Sequence, residues 1–220
     1  LCSLSAKGLV IMSKDDRPLY SALPVKELIA KLQHDSGRNI QGIKAALDNI
    51  GPHNETGAMW QIDRYTQVFE KVRYQVEHAT DSLYIQVYSE DLTTELIDAL
   101  ADAEARLHKF VVILFSDHHR YDLPFRRFYK HFFEADKVLV YGGRWINFVR
   151  DTQTVINGKL PENAQNVDVI WTQNSSMVFM AQEYVLHDAY NLRTLNVLHD
   201  SAQVQFGADL EGVRNIYFDE

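Results

Sequence analysis

The chain has 220 residues, 46% of them hydrophobic and 24% charged, with five prolines and no low-complexity tract; this excludes a disordered or fibrous protein and allows one sizeable core with an appendage. Net charge is −8, but residues 1–31 carry five basic side chains against three acidic ones, and the remainder seventeen against twenty-seven, so any contact with a polyanion has to come from the N-terminal end. No apolar run approaches the roughly 18–20 residues that span a bilayer, and no membrane partner is expected.

The first elements are short. A helix ending at Lys7-Gly8 has the usual glycine stop, and Leu9 to Met12 and Arg17 to Leu23 flank the polar tetrad Ser13-Lys14-Asp15-Asp16, which predicts a β-hairpin. Such a hairpin is either the wing of a winged helix-turn-helix domain or a plain surface hairpin. After Pro24, Val25, Leu28, Ile29 and Leu32 share a helical face, and Ile40, Ile43, Leu47 and Ile50 continue as a heptad-like stripe up to Gly51-Pro52, with a break expected near Ser36-Gly37. This helix, residues 24–51, packs either on its own domain or against a second copy of itself, and the narrow stripe favours the second copy.

The body, residues 58–220, alternates strand and helix patterns. Met59 to Ile62 reads as a short strand, Tyr65 to Ala79 as a helix, Leu83 to Tyr88 as a strand, and Leu92 to Leu107 as a helix. Phe110 to Phe115 is a continuous apolar run, as in a strand covered on both faces. Phe125 to Phe133 reads as a helix; Val138 to Val140, Ile146 to Val149, Val155-Ile156 and Val169 to Trp171 read as strands, the last followed by a helix over roughly 176–192. The pattern predicts an α/β fold, a sheet with helices on both faces, whose ligands gather beyond the C-terminal strand ends.

One stretch resembles a catalytic strand without its catalysts. Gly142 to Asp151, followed by Thr152 to Gly158, is similar to the His-x-Lys-x-x-x-x-Asp strand of the phospholipase D superfamily, in which the His attacks phosphorus and the Lys neutralises the phosphate. Counting back from Asp151, Arg144 stands at the His place and Ile146 at the Lys place. Arginine does not give up its proton at neutral pH, and isoleucine carries no charge. No catalytic residue, cofactor or metal is therefore expected, and binding is expected in place of catalysis.

Taken in order, Lys7-Gly8-Leu9-Val10, Tyr20-x-Ala22-x-Pro24, the long helix, the Trp60 strand, the helix ending Glu77-His78-Ala79, the Asp151…Gly158 remnant and Ile170-Trp171-Thr172 before a long helix resemble the TrmB family of sugar-responsive transcriptional regulators. The resemblance implies the C-terminal part of a winged helix (1–23), a dimerising helix and a phospholipase D-like effector domain. It also implies a cytoplasmic homodimer that binds operator DNA under the control of a sugar or sugar phosphate. The chain departs from the pattern in lacking a recognition helix before Leu4, in carrying His108-Lys109 where a Gly is common, and in being short beyond Leu192. It begins with Leu1, which leads us to expect an upstream segment, and its lone Cys2 allows no intrachain disulfide, as suits the cytoplasm.

Sugars call for carboxylate and amide partners and an aromatic face. Ser89, Asp117, His118, Trp171, Gln173 and Asn174, at or just beyond expected strand ends, offer these and are the candidate ligand residues; Lys14 and Arg17 are the candidate DNA contacts. Plainer roles exist for each: Ser89 and Asp91 as caps of the helix at Leu92, Asn174 as the cap of the last long helix, Lys14 and Arg17 as solvated turn residues. His118, His119 and His131 do not have metal-site spacing. Arg120, Arg126, Arg127 and Lys130, between Tyr121, Phe125, Phe128 and Tyr129, form either a phosphate surface or the solvated side of a helix. A phospholipase D-like phosphodiesterase and a ligand-free dimerisation module are the alternatives.

Overall fold

A computed structural model describes residues 1–14, 17–48, 57–118, 120–131, 138, 141–161, 167–208 and 210–216. The expectations that rest on Asp15, Asp16, Ile50, Gly51-Pro52, His119, Phe133 and Leu139-Val140 lie outside the described residues. The chain forms two compact units, Leu1–Asn54 and Glu55–Glu220.

In the first unit α1 (Cys2–Ala6) ends where Gly8 takes a φ of +64°, and the Leu9 N–H donates to the Leu4 carbonyl at 2.9 Å. That left-handed residue turns the chain into β1 (Val10–Met12), which pairs antiparallel with β2 (Tyr20–Ala22), Ile11 opposite Ser21. Lys14 and Arg17 are exposed beside the hairpin tip. α2 (Val25–Leu47) runs straight through Ser36-Gly37, where a break was expected. Asp35 lies 2.9 Å from Lys31 and 3.7 Å from Arg38, and these one-turn ion pairs bracket the glycine and offset its weak helix propensity. No residue of α2 is buried, and Val25, Ile29, Leu32, Ile40, Ile43 and Leu47 are all at least half exposed.

The second unit is a mixed α/β sheet flanked by helices. Its strands are β3 (Met59–Ile62), β4 (Ser82–Tyr88), β5 (Lys109–Phe115), β6 (Phe128–Lys130), β7 (Arg144–Arg150), β8 (Thr154–Leu160) and β9 (Asp168–Thr172), in the order β3-β9-β8-β7-β4-β5-β6. β4, β5 and β6 are parallel; β7 is antiparallel to β4, and β7, β8, β9 and β3 form an antiparallel meander. β4 is buried along its whole length. Leu83, Ile85 and Val87 pack with α3 (Tyr65–Glu77) and α4 (Thr94–Arg106) on one face. Tyr84 and Tyr88 pack with α5 (Ser175–Val197) on the other, and α6 (His199–Phe206) continues from α5.

Three expectations change. The segment expected as a helix from Phe125 forms edge strand β6, with Val112 opposite Phe128 and Leu114 opposite Lys130. The free edge of β5 needed hydrogen-bond partners, and Phe125 fills the α4 side of the core with no exposure, edge-on to Phe128. Val138 is helical where a strand was expected, Tyr141 is helical as well, and the Gly142 N–H donates to the Val138 carbonyl at 2.7 Å. Thr93, not Ser89 or Asp91, caps α4, its side chain accepting from the Leu96 N–H. Ser89–Asp91 is a single 3₁₀ turn.

Gly158 has a φ of +154° in the middle of β8, and a Cβ there would overlap the Asp168 carbonyl oxygen and the Val169 Cα. Gly158→Ala is therefore expected to destabilise the unit by about 2 kcal/mol or more, read as a lower urea midpoint with an unchanged slope.

Candidate functional site

The antiparallel pairing of β7 with β4 brings the start of β7 to the C-terminal end of the parallel strands. There the Arg144 guanidinium, only 18% exposed, grips Asp91, whose side chain has no exposure. Nε donates to Oδ2 at 2.9 Å and Nη2 to Oδ1 at 2.6 Å. The Tyr65 hydroxyl, from the first turn of α3, donates to the same Oδ1 at 2.7 Å. Nη1 lies 3.8 Å from Asp117. Burial works against the Arg144 charge, but Asp91 outweighs it and holds the guanidinium ionised. Burial and the Asp91 carboxylate together push the Tyr65 hydroxyl far above the ordinary range, so it is a fixed donor.

Beside this clamp, Glu90 accepts from the Ser116 hydroxyl at 2.7 Å and the His118 N–H at 3.1 Å. The Ser89 hydroxyl donates to it at 3.3 Å. Partial burial raises the Glu90 pKa, and these donors more than reverse that, holding it below the usual carboxylate range. Asp117 is raised, first by burial and then by the charge of Glu90. The end of the sheet thus carries Glu90, Asp91 and Asp117 against Arg144, with the His118 side chain exposed beside them. This cluster is acidic and repels a phosphate. Its hydroxyls, those of Tyr65, Ser89 and Ser116, are each committed to a carboxylate of the cluster.

Ile146 and Asp151 have structural roles. Ile146 is on the same face as Arg144, wholly buried in the core between sheet and α3/α4. Asp151, with a φ of +51°, lies beyond the opposite end of β7, about 23 Å along an extended chain from Arg144. Its carboxylate accepts from the N–H groups of Thr80, Asp81 and Ser82 at 2.7–3.1 Å and from the Thr80 hydroxyl at 3.1 Å. It ties the loop after α3 into the entry of β4.

The six expected ligand residues do not meet. Ser89, Asp117 and His118 are at the Arg144 end. β9 runs in the direction of β7, so Trp171, Gln173 and Asn174 emerge at the Asp151 end, Val155 pairing with Thr172. Asn174 caps α5, its side chain accepting from the Ser176 and Met177 N–H groups at 3.1 Å. Trp171 lies under the Lys71 ammonium, 4.0 Å from the ring centroid, and its buried indole N–H has no partner among the described residues. Of the basic and aromatic cluster, Arg127 donates to the carbonyls of Glu104, Leu107 and His108 at the end of α4, and Lys130 stands over Tyr121. Glu90 and Asp91 were expected at a strand end, but Tyr65 and the partnership of Asp91 with Arg144 were not foreseen: Tyr65, Asp91 and Arg144 are 26 to 79 residues apart and leave no local pattern.

No protein-family model matches the chain. It is similar to YrhO of Bacillus subtilis, an uncharacterized protein, at 22% identity over 213 residues, which is 96% of this chain and 76% of YrhO. Among solved structures it is similar to TrmBL2, an archaeal chromatin protein whose structure shows a novel mode of DNA binding. That likeness has a TM-score of 0.42 at 16% identity, over 87% of this chain and 79% of TrmBL2. It is also similar to NucT from Helicobacter pylori, with a TM-score of 0.40 at 13% identity, over 59% of this chain and 92% of NucT. At such values the chemistry has to be argued from this chain's own residues.

Removing Arg144 leaves a buried carboxylate with one hydroxyl partner. Arg144→Ala is expected to cost about 3–5 kcal/mol in denaturant unfolding, and Arg144→Ala/Asp91→Ala clearly less than the sum of the two single changes. Asp151 supplies a pH signature. Burial raises its pKa, but the three backbone donors and Thr80 outweigh this and hold it below the aspartate norm of about 3.9. Its stabilisation is complete above the unfolded value and is lost as pH falls through the folded one. Asp151→Asn should therefore unfold more easily at neutral pH, by about 2–3 kcal/mol, and lose part of the acid sensitivity that the parent chain shows below pH ~4.

Proposed function

We propose that this chain is the effector-sensing and dimerising part of a TrmB-type transcriptional regulator that binds DNA through the wing side of its first unit. The observation that carries this reading is the pairing of Arg144 with Asp91. The position of a nucleophile holds a cation sealed by a carboxylate, and the position of a phosphate-binding lysine holds a buried Ile146. Neither can attack or hold a phosphodiester. The order of hairpin, long unburied helix and mixed α/β unit supports the same reading.

The effector site is the Ser89, Glu90, Asp117 and His118 rim. Its acidic balance favours a neutral sugar over a sugar phosphate. α2, with its exposed Val25, Ile29, Leu32, Ile40, Ile43 and Leu47, pairs with a second copy, and Lys14 and Arg17 touch DNA phosphates. Effector binding acts by population shift, favouring one arrangement of the paired helices.

Thermal denaturation with neutral sugars and their phosphates tests the effector. A binder at one hundred times its Kd raises stability by about 2.7 kcal/mol, and Asp117→Ala should abolish that rise. Fluorescence anisotropy with a mixed-sequence DNA duplex tests the hairpin: Lys14→Ala and Arg17→Ala should each weaken binding and reduce its salt dependence by about one charge. Hydrolysis of a chromogenic phosphodiester, lost on His118→Ala, would establish the enzymatic alternative instead.

A further inference from the structure

α5 is apolar on two sides. One side packs on the sheet through Val178, Ala181, Val185, Ala189, Leu192 and Leu195. The other presents Phe179, Met180, Tyr184, Tyr190 and Val197, each more than half exposed. The helices on the opposite sheet face differ: α4 exposes no large apolar side chain and α3 exposes only Tyr74. An exposed cluster of large apolar side chains on one helix marks a contact.

The residues along this side are ordered. Phe179, Glu183, Leu186, Tyr190, Arg193 and Val197 follow one another at spacings of four, three, four, three and four, the rhythm of a helix-pairing seam, with Leu186 half-buried at its border with the core. They are also symmetric about position 188. In an antiparallel pair of identical helices related by a two-fold axis, Phe179 meets Val197, Leu186 meets Tyr190 and Glu183 meets Arg193. Within these six positions each apolar residue finds an apolar one and the acid a base, while Met180 and Tyr184 flank the seam. A parallel pair would set Glu183 on Glu183 and Arg193 on Arg193. Arg193 is exposed and has no hydrogen-bond or ion-pair partner among the described residues, while Glu183 has His187 one turn on, at 3.5 Å. Self-complementarity of this kind selects a second copy of this chain over an unrelated partner.

We propose that the outer face of α5 is a self-association surface on which a second copy of this chain lays its own α5 antiparallel, centred on position 188 and flanked by two Glu183–Arg193 ion pairs. This contact is separate from the α2 pairing and does not depend on the regulatory reading.

Disulfide trapping in the full chain with Cys2→Ser tests it. Two double variants are oxidised: Glu183→Cys with Arg193→Cys, and Phe179→Cys with Val197→Cys. Within one helix these positions lie about 15 and 27 Å apart, so neither pair closes inside a chain. All four substituted side chains are on the outer face, and circular dichroism confirms folding. The expected result is an interchain disulfide from each double variant, at roughly fivefold the yield of either single-cysteine chain. Ile43→Cys, on α2, is the internal control. Crosslinking by Ile43→Cys with none from the α5 pairs would overturn this proposal and leave the α2 pairing standing. Equal linking by the single cysteines would mean a parallel register and would also overturn it. No linking at any position would overturn both contacts and assign the α5 face to a partner of another sequence.

Discussion

The second unit depends on the antiparallel seam between β4 and β7. β4 is the strand from which the parallel half and the antiparallel half of the sheet both grow, and β7 is the first strand of the reversal. The two ends of β7 are fastened by opposite charges. At one end the Arg144 guanidinium closes on Asp91 and the strand-end turn; at the other the Asp151 carboxylate collects the backbone donors that lead into β4. Charge-assisted hydrogen bonds to partly or fully desolvated groups are stronger than neutral ones and strict in geometry, so the register between the halves is held at both ends.

The same seam governs the chemistry at the Arg144 end. A guanidinium already bonded in bidentate fashion and screened by a second carboxylate has little charge to offer an incoming phosphate. What faces solvent is the rim of Glu90, Asp117 and His118, with Glu90 held by the buried Ser116 hydroxyl and the His118 backbone N–H. The buried polar pair on the α5 face, Asn147 donating to Gln86 and to the Ala181 carbonyl, with Gln86 donating to Asp188, ties the helix to the centre of the sheet. The rim and α5 therefore rest on one set of strands.

Surfaces left apolar in each unit point outward from their own cores. α2 buries nothing and still carries an aliphatic stripe, and α5 buries one face while displaying another. Each is a helix whose hydrophobic pattern exceeds what its own unit covers, the condition under which association contributes to stability rather than merely coexisting with it.

The alternation of strand and helix patterns determined the class of the fold, because buried strands and amphipathic helices need periods that local sequence records directly: β4, β5, α3 and α4 stand within a few residues of where their apolar residues put them. The side-chain chemistry at positions 144 and 146 was also legible, since an arginine's charge and an isoleucine's lack of one need no tertiary structure. Strand direction was not. Trp171, Gln173 and Asn174 follow a strand just as Asp117 and His118 do, yet they lie at opposite ends of the sheet, because β9 runs against β5 and no local pattern encodes that reversal. The segment from Phe125 departs from its pattern for another tertiary reason: its aromatic spacing fits a helix, while the unpaired edge of β5 offered Phe128–Lys130 a ladder. Tertiary structure alone decided the clamp of Tyr65, Asp91 and Arg144, because a bidentate contact between residues 53 apart depends on which strands lie side by side and on the water their packing excludes.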